Sequence, residues 1–254
     1  MSTVRAWFPY RKDSSGVELF AFPHAGAGST VFKYLREDLS GTGVTAVPAV
    51  LPGRERRLAE APYEDMRSLL AAFEEMARAD GYAAFMGDYA LLGHCSGALV
   101  AYEIARLLER AACRDPRLLV VCSCLPPPRI RNTGMSGLST EELFRRTASM
   151  GGTPDRLLTN PDFLQMVERP LRADWVLFDG YVHDPAPKLS TPILAVRGVS
   201  DPDLGPGDLE LWRDQTDGAF ATTELRSGHW ALTEAGSAEL AQAVRTSLYA
   251  TEGT

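Results

Sequence analysis

Histidine is scarce in this chain, with four in 254 residues. Any reaction that needs an imidazole base must therefore draw on His24, His94, His183 or His229. Cysteine is equally rare, at positions 95, 113, 122 and 124. Cys122-Ser123-Cys124 lacks zinc-knuckle spacing and has no second Cys/His pair nearby, so no metal site is expected. Cys113, Cys122 and Cys124 read as buried structural thiols, and a disulfide framework is not expected. Long apolar runs are missing too, none reaching the roughly 18 residues of a membrane span. The first residues, Met1 to Trp7, lack the apolar core of a signal peptide. A cytoplasmic protein without a membrane partner follows as the expectation. Basic excess is absent, since 26 Lys and Arg face 33 Asp and Glu for a net charge of -7. Nucleic acid is therefore not expected as a partner. No internal repeat or low-complexity tract is present. What remains is 45% hydrophobic and 23% charged residues, the composition of a globular domain with room for a large core.

Apolar runs alternate with segments of helical period, which predicts an α/β fold with a mostly parallel sheet. Strands are expected near 17–22, 44–50, 89–92, 118–123, 193–197 and 222–225. Helices are expected over 32–39, 66–78, 99–110 and part of 208–215, with a last one from an N-cap at Ser237 to Leu248. One segment breaks the rhythm. Pro126-Pro127-Pro128 follows Cys124, a capped helix start appears at Ser139-Thr140-Glu141-Glu142, and Gly151-Gly152-Thr153-Pro154 ends that helix. Helical pattern resumes from about Asp162 to Leu177. Residues 127–185 read as a lid inserted into a hydrolase core of 1–126 and 186–254. A crossover helix with long loops is the alternative.

The chemistry is concentrated at Gly93-His94-Cys95-Ser96-Gly97. An apolar strand precedes it and a helical run follows, the context of the nucleophile elbow of α/β-hydrolases. The middle position, usually serine, is Cys95; a register shift would put Ser96 there instead. Acyl transfer at an elbow also needs a base, a carboxylate and an oxyanion hole, in the chain order nucleophile, acid, histidine. His229 lies after the last strand and before the last helix, where that order puts the base. The acid should end the preceding strand, where Asp201 is favoured and Asp203 is its close rival. Amides at Ala25, in the small-residue loop Pro23-His24-Ala25-Gly26-Ala27-Gly28, and at Ser96 could form the oxyanion hole. A helix N-terminus and an imidazolium both favour thiolate, so a Cys95–His229 ion pair is expected before substrate arrives. Thioester transfer to cysteine conserves the acyl group's activation, which suits release to an amine, hydroxyl or carbon nucleophile as well as to water.

With these residues in place the chain resembles the type II thioesterases of polyketide and nonribosomal peptide assembly lines, which have the α/β-hydrolase fold. The resemblance rests on Phe22-Pro23-His24-Ala25-Gly26, Leu51-Pro52-Gly53-Arg54-Glu55, the elbow, Met150-Gly151-Gly152-Thr153-Pro154, Leu171-Arg172-Ala173-Asp174, Asp201-Pro202, Trp212 and Gly228-His229. It implies hydrolysis of acyl groups held as 4'-phosphopantetheine thioesters on acyl or peptidyl carrier proteins. The pantetheine arrives on the partner, so no bound cofactor is expected, and a monomer is the default. The resemblance further implies an acyl chamber lined by Leu143, Phe144, Met150, Phe163, Met166, Trp175 and Phe178. Arg54, Arg56, Arg57, Arg129 and Arg131 are candidate contacts for an acidic carrier. An acyltransferase or cyclase on the same scaffold is the nearest alternative, and a non-catalytic carrier-binding protein a more distant one.

Overall fold

A parallel sheet whose central strands are apolar on both faces can be satisfied only by helices on either side. That is the arrangement in the computed structural model, which describes residues 3–12, 15–111, 113–150, 160–185 and 187–250. In chain order the strands are β1 (Val17–Phe22), β2 (Val44–Pro48), β3 (Tyr89–His94), β4 (Leu119–Cys122), β5 (Ile193–Gly198) and β6 (Phe220–Leu225). They form one sheet in the order β2-β1-β3-β4-β5-β6, and every neighbouring pair is parallel. The helices are α1 (Val4–Trp7), α2 (Lys33–Asp38), α3 (Met66–Ala79), α4 (Ser96–Glu109), α5 (Thr140–Ser149), α6 (Pro161–Asp179), α7 (Pro206–Glu210) and α8 (Glu234–Ala250).

Alternation along β1 divides the interior. Phe20 and Phe22 point into a cluster with Phe73, Phe85, Leu99 and Trp212, under α3 and α4. Val17, Leu19 and Ala21 point the other way, into a cluster with Leu35, Leu240 and Val244, under α2 and α8. A third cluster joins Ala25 to Met135, Leu143, Phe144, Leu171 and Trp175, and so connects the loop after β1 to α5 and α6. Asp65 caps α3 by accepting from the Ser68 amide, and Ser139 caps α5 by accepting from the Glu142 amide.

Expected boundaries move by up to three residues. The last helix starts at Glu234, and Ser237 is not its cap, because the Ser237 hydroxyl donates to Asp38 Oδ2 at 2.6 Å and joins α8 to α2. The fourth helix begins at Ser96, three residues earlier than its apolar pattern, directly after the elbow. The second strand stops at Pro48, two residues short of Val50. The turn expected at Gly151–Pro154 lies outside the described residues.

Candidate active site

The carboxyl ends of parallel strands are where α/β sheets collect functional loops. The ends of β1, β3, β4, β5 and β6 lead to the loop at 23–28, to Cys95, to Ser123, to Asp201 and to His229 respectively. Cys95 itself is strained, with φ 54° and ψ -125°. Neighbouring Ser96 is the first residue of α4, so the sharp turn belongs to Cys95 and not to the serine. Both flanking glycines are obligatory. A Cβ on Gly93 would stand 2.1 Å from the Gly97 carbonyl oxygen, and one on Gly97 would stand 2.3 Å from the Phe22 oxygen. Replacing Gly97 by alanine should therefore cost about 3 kcal/mol or more, the upper range for overpacking a rigid site. Urea denaturation measures this, and a loss under about 1 kcal/mol would show that the elbow can shift to admit a methyl group.

His229 is buried, and its Nδ1 lies 3.2 Å from Asp201 Oδ1 and 3.1 Å from Asp201 Oδ2. Asp203 Oδ2 is farther from Nδ1, at 3.7 Å, and its side chain is 54% exposed where that of Asp201 is wholly covered. The Asp203 amide donates to Asp201 Oδ1 and helps to hold that carboxylate. Burial alone would lower the His229 pKa; the Asp201 hydrogen bond and the Cys95 sulfur outweigh it and push it up to about 10. Burial likewise raises the Asp201 carboxyl, but the bond to His229 more than offsets it and the net direction is down. Asp201, Asp203 and His229 are also the one group of potential metal ligands among the described residues with atoms within 4.8 Å of one another. Nδ1 of the histidine is already engaged by Asp201.

The other two histidines near the site are kept neutral. His94 is fully buried, and burial followed by the nearby charge of His229 lowers its pKa to about 3. Its Nε2 donates to the His229 carbonyl at 2.9 Å, which fixes the loop that carries His229. His24 is lowered as well, by burial and then by His94 and His229. Trp230 packs edge-on against His24 and His229, with ring centroids 4.1 and 5.3 Å away. His183 lies apart on the segment after α6, near the Tyr181 hydroxyl. Of the three rings in this array, only His229 is set up to hold a proton near neutral pH.

That charge has a consequence for stability. A folded pKa above the ordinary histidine value of about 6.5 means that folding favours the protonated ring. The stabilisation is complete below about pH 6.5 and drains away as pH rises through about 10. The stability advantage of the parent over His229→Gln should shrink when urea denaturation is moved from pH 6 to above pH 10. A gap that stays constant would contradict the raised pKa.

Cys95 and His229 open on one cavity of about 510 Å³. Met150, Trp175 and Phe178 of the expected lining are there. Phe144, Phe163 and Met166 instead line a second cavity of about 380 Å³ beside the 24–28 loop and Trp230. Leu143 lines neither, because it is completely buried in the cluster beneath α5 and α6. The periodicity of an amphipathic helix marks its inward face but not which hollow that face meets. Leu125, Ile130, Met135 and Leu204 also line the first cavity and were not expected. Cys124 lines it too, and burial raises the pKa of both Cys124 and its neighbour Cys122, the latter to about 12. Cys113 is only half-buried, with its thiol donating to the Leu108 carbonyl.

The candidate docking arginines separate as well. Arg54 and Arg57 are 5% exposed and ion-paired, to Asp174 and Glu60, so neither is available to a partner. Arg56, Arg129 and Arg131 are exposed, and the last two line the Cys95 cavity with Arg146. No helix among the described residues is long and apolar enough to cross a membrane.

Comparison with known proteins supplies the family. The thioesterase domain model matches residues 17–248. The thioesterase PikA5 of Streptomyces venezuelae is 30% identical over 221 residues, which cover 87% of this chain and 77% of that protein. Among solved structures, RedJ, a thioesterase of the prodiginine pathway of Streptomyces coelicolor, superposes with a TM-score of 0.84 at 31% identity, covering 97% of this chain and all of RedJ. BorB, the type II thioesterase of the borrelidin cluster, gives a TM-score of 0.84 at 27% identity over 98% of this chain and 99% of its own. A strained elbow, a parallel sheet carrying it and a family match across 17–248 agree: this chain belongs to the thioesterase family of α/β-hydrolase fold and is a hydrolase.

Proposed function

We propose that this enzyme releases acyl groups carried as 4'-phosphopantetheine thioesters on acyl or peptidyl carrier proteins of polyketide or nonribosomal peptide synthesis, through an acyl-Cys95 intermediate. The observation that carries this reading is the meeting of Cys95 and His229 in one cavity whose wall includes Leu125, Ile130, Met135, Trp175 and Phe178, with Asp201 holding the far side of the imidazole. RedJ, of the prodiginine pathway, and BorB, the type II thioesterase of the borrelidin cluster, support a biosynthetic setting of this kind. The described parts of the 127–185 insertion, which carry Met150, Trp175 and Phe178 to the wall of the Cys95 cavity, support its role as a lid.

The Cys95 sulfur attacks the thioester carbonyl while the Ala25 and Ser96 amides hold the oxygen that gains charge. Collapse of the tetrahedral intermediate breaks the bond to the pantetheine sulfur, which takes a proton from the His229 imidazolium. The neutral imidazole then draws a proton from water as the oxygen adds to the acyl-Cys95 carbonyl. A second collapse frees the acid and returns the Cys95 sulfur and the protonated imidazole with which the cycle began. Asp201 keeps the Nδ1 proton in place and offsets the ring's positive charge throughout. These residues need no bound cofactor or metal, because the pantetheine comes with the substrate.

A second reading keeps the same first half and replaces water with an amine, hydroxyl or carbon nucleophile. Residue 95 favours it, since a cysteine thioester holds the acyl group in activated form. Incubation with acyl-carrier protein and mass spectrometry of the small-molecule product separates the two. Free acid supports hydrolysis; an amide, lactone or other ring supports transfer. Intact-protein mass spectrometry after exposure to acyl-pantetheines should show one acyl adduct on the parent and none on Cys95→Ala. An adduct that survives in Cys95→Ala overturns the nucleophile assignment.

A further inference from the structure

Two motifs noted in the sequence, Pro52-Gly53-Arg54-Glu55 and Leu171-Arg172-Ala173-Asp174, have no part in the steps above. In three dimensions they meet on the loop after β1. Asp174, on α6, accepts Arg54 Nη1 at 2.8 Å and Nη2 at 2.9 Å. Asp174 Oδ2, which takes the Nη1 bond, also accepts the Gly26 amide at 2.8 Å, and Arg54 Nη1 also donates to the Ala27 carbonyl at 2.9 Å. One residue further on, the Glu55 carboxylate accepts the Ser29 hydroxyl at 2.8 Å and the Ser29 amide at 2.5 Å.

The pair is sheltered, with side-chain exposures of 6% for Arg54 and 13% for Asp174. A charge-assisted, two-pronged pair in such surroundings is rigid, and its geometry is dictated by the guanidinium plane. Packing reinforces it. Gly26 has φ 73°, and a Cβ there would lie 3.0 Å from the Leu171 side chain, one helical turn before Asp174. The same face of α6 therefore presses on Gly26 with a leucine and ties it with a carboxylate. Ala25, immediately before, is buried in the cluster that contains Leu171. The residue whose amide would face the substrate oxygen is thus held by contacts that belong to α6, not to the sheet.

We infer that Arg54 and Asp174 are positioning residues: they set the Ala25 amide in the oxyanion hole and make that geometry conditional on α6 being seated over the site. Seating of α6 and competence for acyl transfer then occur together, so a carrier-bound thioester is activated only once its acyl group is covered. The inference rests on the proposed role of Ala25 and goes beyond it by naming what holds that amide in place.

The test compares two reactions of the same sulfur. Thioester cleavage builds charge on a carbonyl oxygen and needs the oxyanion hole. Alkylation by iodoacetamide forms a sulfur–carbon bond as iodide leaves, builds no oxyanion, and reports whether Cys95 is intact and reachable. With hexanoyl-pantetheine as substrate, Asp174→Ala should lose about 100-fold in kcat, the scale of one missing oxyanion donor, at a KM within about threefold of the parent. Its alkylation rate should not fall. Arg54→Lys keeps the charge and loses the fork, so it should show a smaller kcat loss with the same unchanged KM and alkylation. If Asp174→Ala fails to fold, Arg54→Lys decides alone. Unaltered kcat in the folded variants overturns the inference, as does a parallel loss of turnover and alkylation, which would assign the pair a purely architectural role. Failure of the underlying reading is visible separately, because Cys95→Ala would then turn over the thioester as fast as the parent.

Discussion

Cys95→Ala is expected to lose at least about 10⁴-fold in turnover of an acyl-pantetheine, and to form no acyl adduct. The magnitude is that of removing the nucleophile from a triad whose oxyanion hole and binding site stay in place. Fold stability should change little, since alanine at position 95 removes one sulfur from a cavity wall and leaves the backbone turn as it was. The strain at Cys95 is a property of the turn: the flanking glycines and the Cys95 amide's bond to the Cys122 carbonyl at 2.8 Å maintain it. Turnover by a steady-state thiol-release assay, with urea denaturation alongside, checks both halves. Retention of a tenth or more of parental turnover would mean that another group attacks, and Ser96 is poorly placed to do so because it already lies in α4.

His229→Ala carries the second large effect, a loss of about 10⁴-fold. Two functions disappear together. No imidazole remains beside the Cys95 sulfur, and in the proposed reaction no group remains to protonate the departing pantetheine sulfur. Asp201→Asn should cost less, about 10²-fold, because a cysteine nucleophile depends less on proton removal during attack than a serine does. Asp203→Asn should stay within about threefold of the parent, since its carboxylate is exposed and stands 3.7 Å from Nδ1. The pH profile makes these statements sharper. With the His229 pKa up at about 10, acyl-enzyme formation should hold through neutral pH and fall as the pH rises through that value. The Asp201 hydrogen bond is the foremost contribution raising that pKa, so Asp201→Asn should move the alkaline limb downward. Asp203→Asn should leave the limb close to where it stands. Equal shifts in the two variants would show that both carboxylates share the imidazole.

These effects depend on features of unequal visibility in the amino-acid order. The elbow is a local object: glycines at 93 and 97, an apolar strand before and a helix after are enough to mark it. The candidate base was narrowed by scarcity, since four histidines leave one, His229, in the expected place near the end of the chain. Strands were legible because both faces of a parallel sheet are buried and read as apolar runs. Boundaries fared less well where a side chain found a distant partner. Ser237 has the chemistry of a cap, yet it bonds to Asp38 across two helices instead.

The docking arginines show the same limit from the other side. Nothing in the order of residues separates Arg54 and Arg57, which are buried, from Arg56 between them, which is exposed. Likewise, no periodicity distinguishes Trp175 and Phe178, over Cys95, from Phe163 and Met166, over the neighbouring hollow.

By itself, then, the sequence determined the α/β class and marked the elbow, because each is written in neighbouring residues and regular spacing, while scarcity and chain order singled out His229 as the candidate base. Tertiary structure alone decided which carboxylate stands nearer the imidazole, which apolar side chains face the sulfur, and that Gly26, Arg54 and Asp174 form one clamp. The reason is physical: hydrogen bonds and cavity walls depend on distances of a few ångströms between residues far apart in the chain, as Gly26 and Asp174 are at 148 positions, and those distances exist only once the sheet has brought its loops to a common edge.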